Sequence, residues 1–152
     1  MEYCPITSLR QYIEFRGYIW EDEAKIILKQ ILNSLVHIHS KKVWHRDIKP
    51  ENCFADYKNF KIGDFGEAKE FDLLQNWRKT FSYKGTRVGT KLFKAIELLR
   101  GEKYSMSIDL YSVFVLFYEM LTGLPPFYFP GTLEDSNIAE LIERNLEKIY
   151  SR

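Results

Sequence analysis

From Ser107 to Leu121 the chain carries apolar residues on nearly every side of a helical wheel: Ile108, Leu110, Val113, Phe114, Val115, Leu116, Phe117, Met120 and Leu121. A helix without a polar face is stable only where other elements surround it, so this segment predicts the central element of a packed domain. Thr122-Gly123 and Pro125-Pro126 end it, because glycine accepts a left-handed terminus and proline cannot continue a helix. Asp109 and Glu119 interrupt the stretch Ile108–Leu124, which therefore falls short of the roughly 18 uninterrupted apolar residues of a membrane span. With 152 residues, the chain has length for one domain around that helix and can bury a core without disulfide staples.

Other elements follow from periodicity. Thr7 or Ser8 can cap a short helix bearing Leu9, Tyr12 and Ile13. A longer helix is predicted from about Asp22 to Ser40, with Ala24, Ile27, Leu28, Ile31, Leu32, Leu35 and Ile38 forming its buried stripe. His37 and His39, late in that helix, read as structural groups rather than ligands. Lys42-Val43-Trp44, Cys53-Phe54-Ala55 and Phe60-Lys61-Ile62 suit brief strands, the last two joined by a hairpin over Asp56–Asn59. Gly66 to Lys94 has little periodicity and predicts a long, functional loop. A final amphipathic helix is expected from Leu133 to Tyr150. The fold class is α+β, mainly helical.

Charge and cysteine usage narrow the function. A net charge of +1 argues against a nucleic-acid binder, whose footprint is strongly basic. Cys4 and Cys53 have no metal-ligand spacing and form no disulfide framework, so a reducing compartment is expected: the cytoplasm, with the nucleus as the alternative. No charged-then-apolar leader is visible. Cys53 itself reads as a small core residue.

The chemistry concentrates in His45-Arg46-Asp47-Ile48-Lys49-Pro50-Glu51-Asn52, followed twelve residues after Asn52 by Asp64-Phe65-Gly66. Asp47 is a carboxylate able to orient or deprotonate a hydroxyl, and Lys49 offers positive charge to a phosphoryl group. Asn52 and Asp64 flank the expected hairpin, which can bring two hard oxygen ligands together. Such ligands suit Mg²⁺ shared with substrate phosphates. Gly66 is expected to let the chain turn sharply after the metal ligand. A hydroxyl-orienting acid, a cation and a hard-metal pair together suggest phosphoryl transfer.

These two motifs resemble the catalytic loop and metal-binding signature of eukaryotic protein kinases. The resemblance extends along essentially the whole chain. Gly89-Thr90 with Ala95-Ile96-Glu97 is similar to the end of the activation segment, and Asp109-Leu110-Tyr111-Ser112 to the start of the buried central helix. Met1-Glu2-Tyr3-Cys4 looks like the hinge that holds adenine. The resemblance implies a kinase C-terminal lobe from the hinge onward, and ATP- and Mg²⁺-dependent phosphorylation of a protein on serine or threonine. It implies Asp47 as catalytic base, Lys49 on the transferred phosphate, and Thr90 beside both. Asn52 and Asp64 would hold Mg²⁺, Glu2 and Cys4 would pair with adenine through their backbone, and Phe54 would pack beneath the ring. His45 and Phe65 would stack in the column that holds the active arrangement. Glu97 and Asp109 would be structural, and Arg46 and Lys69 would form a phosphate pocket. The hinge and the helix Ser8–Ile13 together are similar to those of the translation-initiation-factor kinases.

Between Arg78 and Lys94 lie Arg78, Lys79, Lys84, Arg87, Lys91 and Lys94 with no acid. They form either a solvated basic face or, with Thr86 phosphorylated and paired to Arg46, a loop ordered by charge. The chain also departs from the family. No glycine-rich loop or strand lysine precedes the hinge, the family's Ala-Pro-Glu reads Ala95-Ile96-Glu97, and the sequence stops before the arginine that Glu97 would meet. Residues 1–152 therefore read as a partial kinase domain, without N-terminal lobe or last helices, and with little activity alone. A truncated pseudokinase acting as a protein-binding module is the competing reading.

Overall fold

The computed structural model describes residues 7–56, 59–70, 91–128 and 138–150, and within the last helix the side chains of residues 138–144. Helices dominate, and two small antiparallel sheets lie among them. The chain begins with β1 (Thr7–Ser8) and α1 (Leu9–Arg16), continues through α2 (Glu21–Ser40) and β2 (Val43–Trp44), and then forms a hairpin of β3 (Cys53–Asp56) and β4 (Asn59–Ile62). Strand β5 (Lys69–Glu70), α3 (Ile96–Leu99), α4 (Ser107–Thr122) and α5 (Ile138–Tyr150) complete the described elements.

Local chemistry accounts for most boundaries. Ser8 caps α1: its hydroxyl accepts from Gln11 N at 3.3 Å, and the Gln11 side chain accepts from Ser8 N at 3.1 Å. Glu21, Asp22 and Glu23 fill the first turn of α2, while His37 and His39 fill its last, complementing the helix dipole at both ends. Gly123 ends α4 with φ +79°, and a β-carbon there would meet the Gly17 carbonyl oxygen at 2.2 Å. Only glycine fits that crossing of chain ends.

The main core joins Leu9 and Ile13 of α1, Ala24, Ile27, Ile31, Leu35 and Ile38 of α2, the hairpin residues Cys53, Ala55, Phe60 and Ile62, and Val113, Val115, Leu116 and Met120 of α4. The alternation along β3 and β4 turns one side of each strand into this core. Cys53 is fully buried among these residues, which pushes its thiol pKa up and leaves it a packing group.

Several expectations are revised. Helix α4 is not enclosed on all sides: Leu110, Phe114 and Tyr118 form an exposed stripe, because the described elements cover only part of its circumference. The stretch after Gly66 is not loop throughout, since β5 pairs with β2, setting Trp44 against Lys69 and Val43 against Glu70. Thr7 and Ser8 do more than cap, because as β1 they pair with Ala55 and Phe54 and extend the hairpin to three strands, ordered β1-β3-β4. The start of the final helix proposed at Leu133 lies outside the described residues. Among the described residues, no helix is long and apolar enough to cross a membrane.

Candidate active site

The site is built where the central helix meets the loop after β2. Asp109, in the first turn of α4, is fully buried, and it accepts from the backbone N–H groups of His45 at 3.0 Å and Arg46 at 2.8 Å. His39 Nε2 lies 2.8 Å from the same carboxylate. These bonds hold Arg46 at φ +65°, a left-handed conformation that side chains seldom adopt and that surrounding structure must enforce. Asp47 follows this turn directly in the chain.

His45 locks the loop from within. Its Nε2–H donates to the Gly63 carbonyl at 3.0 Å, and its Nδ1 accepts from Asp47 N at 3.3 Å. Burial pulls the imidazole pKa down, in keeping with a neutral ring using one nitrogen as donor and the other as acceptor. The Phe65 ring meets His45 edge-on, with centroids 5.0 Å apart.

The hairpin brings together the two oxygen-bearing side chains expected to face a cation. Cys53 pairs with Ile62, and Gly63 N donates to the Asn52 carbonyl at 2.8 Å, so Asn52 and Asp64 leave the same end of the ladder and line one cavity with Lys49. A β-carbon on Gly63 would meet the Phe54 ring at 2.9 Å, so the ring packs directly over that glycine. The chain turns at Gly66 as expected, with Ala68 N donating to the Phe65 carbonyl at 3.0 Å, but the left-handed residue is Asp64, at φ +59°, whose Oδ1 accepts from Gly66 N at 3.2 Å. An aspartate tolerates this geometry because its short side chain bonds the backbone two residues on.

Asp47 is the most heavily bonded side chain of the loop. Lys49 Nζ donates to its Oδ2 at 2.7 Å, Asn52 Nδ2 donates to the same oxygen at 3.0 Å and to the Asp47 carbonyl at 2.8 Å, and Lys94 Nζ donates to Oδ1 at 3.2 Å. Burial alone would raise the carboxyl, but the Lys49 bond and the charges of Lys94 and Lys49 outweigh it and hold Asp47 below its ordinary value. Asn52 is buried and spends its amide nitrogen on Asp47, which leaves its amide oxygen without a hydrogen bond among the described residues. With one carboxylate and one amide oxygen, the donor set fits Mg²⁺ shared with phosphate oxygens. Among the described residues, no cluster of three or more His, Cys, Asp or Glu suggests a site for a metal bound by protein alone.

Lys94 was expected on a basic loop and lies elsewhere. It is 2% exposed, and its ammonium also donates to the Arg46 carbonyl at 3.0 Å. The signal was a single charge inside the apolar run Leu92-Phe93-Lys94-Ala95-Ile96. Arg10 is a second unanticipated group: it bonds Glu51 at 3.0 Å and the buried Glu119 at 2.5 Å. Arg46 donates to the Glu67 carbonyl at 2.6 Å and to the Tyr104 hydroxyl at 3.3 Å, and the β2–β5 pairing brings Lys69 close by in register. Glu97 is half-buried in α3 and has no ion-pair partner among the described residues. Glu2, Cys4, Thr86 and Thr90 lie outside the described residues.

A sequence description of the protein kinase domain matches residues 1–151. The chain belongs to the protein kinase family. Its kinase relatives include serine/threonine protein kinase OSK3 of Oryza sativa subsp. indica, 35% identical over 99% of this chain and 28% of the relative. Serine/threonine-protein kinase atg1 of Dictyostelium discoideum is 35% identical over 89% of the chain and 20% of its own length. The eIF-2-alpha kinase GCN2 of Schizosaccharomyces pombe is 40% identical over 79% of the chain and 8% of the relative. The chain thus spans under a third of these relatives, of which the first two are named as serine/threonine kinases.

Proposed function

We propose that the protein carrying this chain transfers the γ-phosphoryl group of ATP, with Mg²⁺, to a serine or threonine hydroxyl of a protein substrate. The observation that carries this reading is the division of labour around Asp47. Asn52 binds Asp47 through nitrogen and keeps its oxygen for a cation, while Lys49 bridges from the same carboxylate toward the cavity shared with Asp64. Asp47 accepts the hydrogen bond of the attacking hydroxyl and aims it. Lys49 and Lys94 keep that carboxylate ionised, so it is ready as an acceptor at neutral pH. Mg²⁺ held by Asn52 and Asp64 would neutralise phosphate charge as it develops.

The resemblance supplies the rest: this chain as the catalytic-loop lobe of the domain, adenine at Glu2, Cys4 and Phe54, and Thr90 beside Asp47. It also supplies a Thr86 phosphate drawn to Arg46 and Lys69. A cytoplasmic or nuclear setting agrees with the unpaired thiol chemistry of Cys53. Substituting Asp47→Asn in the full-length protein is expected to lower phosphorylation of an acceptor protein by about 10²- to 10⁴-fold. Stabilisation of the fold by MgATP, read as a rise in melting temperature, should survive that change. Wild-type protein that gains stability with MgATP but labels no acceptor would favour the binding-module reading instead.

A further inference from the structure

The cavity shared by Lys49 and the two candidate cation ligands has a volume of about 690 Å³, and Glu14, Glu51 and Glu119 line it together with Arg10. Three acids beside a phosphoryl-transfer site would attract a basic side chain of an incoming protein. Arg10 already holds the place where such a side chain would be bound most firmly. Its Nε donates to Glu51 Oε1 at 3.0 Å, and its terminal nitrogens donate to Glu119 Oε1 at 2.5 Å and Oε2 at 3.4 Å. The fork thus takes both oxygens of Glu119, the one buried acid of the three. Arg10 is also held in place: it stands on α1 between Leu9 and Ile13, which are buried in the main core, and its side chain is only 23% exposed.

We propose that Arg10 is a specificity-determining residue: as a built-in occupant of the Glu51–Glu119 pair, it keeps the acceptor cleft from selecting basic protein substrates. Serine and threonine acceptors with uncharged neighbours are then used as readily as basic ones. The inference rests on the phosphoryl-transfer reading above. What Arg10 leaves to a second cation is Glu14 and the outer side of Glu51, both exposed to water, where an ion pair changes affinity by about fivefold at most. A buried carboxylate such as Glu119 would give about ten- to a hundredfold through charge-assisted hydrogen bonds, were its oxygens not already taken. Lys49 is the one other cation among the described lining residues, and it is bonded to Asp47.

The test uses the full-length protein and a set of serine peptides in an alanine-glycine frame, with a single arginine placed at each flanking position in turn. The readout is the ratio of kcat/KM for each arginine peptide to that of the arginine-free parent, which cancels any loss of folded enzyme. In wild type every ratio should stay below about fivefold. Arg10→Ala vacates the pair, so at one or more positions the ratio should rise about ten- to a hundredfold, through KM rather than kcat. Arg10→Lys, which keeps a cation at the pair, should stay with wild type. A wild-type ratio above about tenfold, no rise in Arg10→Ala, or an equal rise in Arg10→Lys would overturn the proposal. Arg10→Met keeps more of the stem's packing and replaces Arg10→Ala if that variant does not fold; if neither folds, Arg10 is a structural staple and the proposal falls. If wild type labels no peptide, the transfer reading fails by itself, and the vacated pair is read directly. About 20 mM ethylguanidinium chloride should then raise the melting temperature of Arg10→Ala by about 3 °C over equal sodium chloride, with no such rise in wild type. A rise confined to the variant supports the pair as a seat for a basic side chain, and its absence overturns that assignment.

Discussion

Asp109 and Asp47 both belong to the hydrogen bonding of the His45–Asn52 loop and are held by opposite kinds of partner. Asp109 is fully buried and grips two backbone N–H groups, with His39 as third partner. Asp47 is partly buried and is gripped by the side chains of Lys49, Asn52 and Lys94. Backbone donors are fixed by the chain path, so Asp109 has one arrangement and serves as architecture. The donors around Asp47 are side-chain groups brought from three positions, so its arrangement depends on packing rather than on the chain path alone. The contrast separates a carboxylate that fixes the backbone of the loop from one held by side chains alone.

Removing Asp109 should have the largest effect on the fold. Asp109→Ala strands two buried N–H donors and the His39 ring, and should cost about 4 kcal/mol in denaturant unfolding, with activity lost alongside. A loss under about 1 kcal/mol would break the comparison, since Asp109 would then be no more architectural than Asp47.

Glu119 sharpens the comparison, because it lies on the same helix as Asp109 but relies on a side chain, Arg10. Burial raises the Glu119 carboxyl, and Arg10 only partly opposes this. The folded state therefore holds that proton more tightly than the unfolded chain, so this group's contribution falls as pH rises through the ordinary glutamate range toward the folded value. Arg10→Ala should cost about 2 kcal/mol at neutral pH and distinctly less near pH 4, where Glu119 is protonated. Melting temperatures across that range read the difference, and a pH-independent loss would place the cost in packing instead.

The smallest effect tests how far a local signal reaches. Ser8→Ala removes the cap of the helix that carries Arg10 and should cost about 1 kcal/mol in thermal unfolding. Because the cap acts only on α1, the bonds of Asp109 should be untouched, which amide hydrogen exchange at His45 and Arg46 would verify.

The parts legible in the sequence share a short reach. The α2 stripe from Ala24 to Ile38 and the hairpin joining Cys53–Asp56 to Asn59–Ile62 follow from periodicities of one helical turn or one strand residue pair. The Ser8 cap spans three residues, and the His45–Asn52 and Asp64–Gly66 motifs carry their chemistry in contiguous letters. The turn at Gly66 is legible because glycine's freedom is written in the letter, whereas the left-handed Asp64, bonding the backbone two residues on, shows only in coordinates.

What composition, periodicity and motif spacing determined by themselves is thus the mainly helical mixture with small sheets, the hairpin and the two motifs that resemble those of protein kinases. Only the tertiary structure decided their partners. Lys94 reaches Asp47 across 47 residues, and Arg10 reaches Glu119 across 109. No local propensity encodes such pairings, because a charge is neutral as to partner until packing has removed the water around it. Burial in the segment held by α4 turns Lys94 from one of several basic letters into a bond to Asp47.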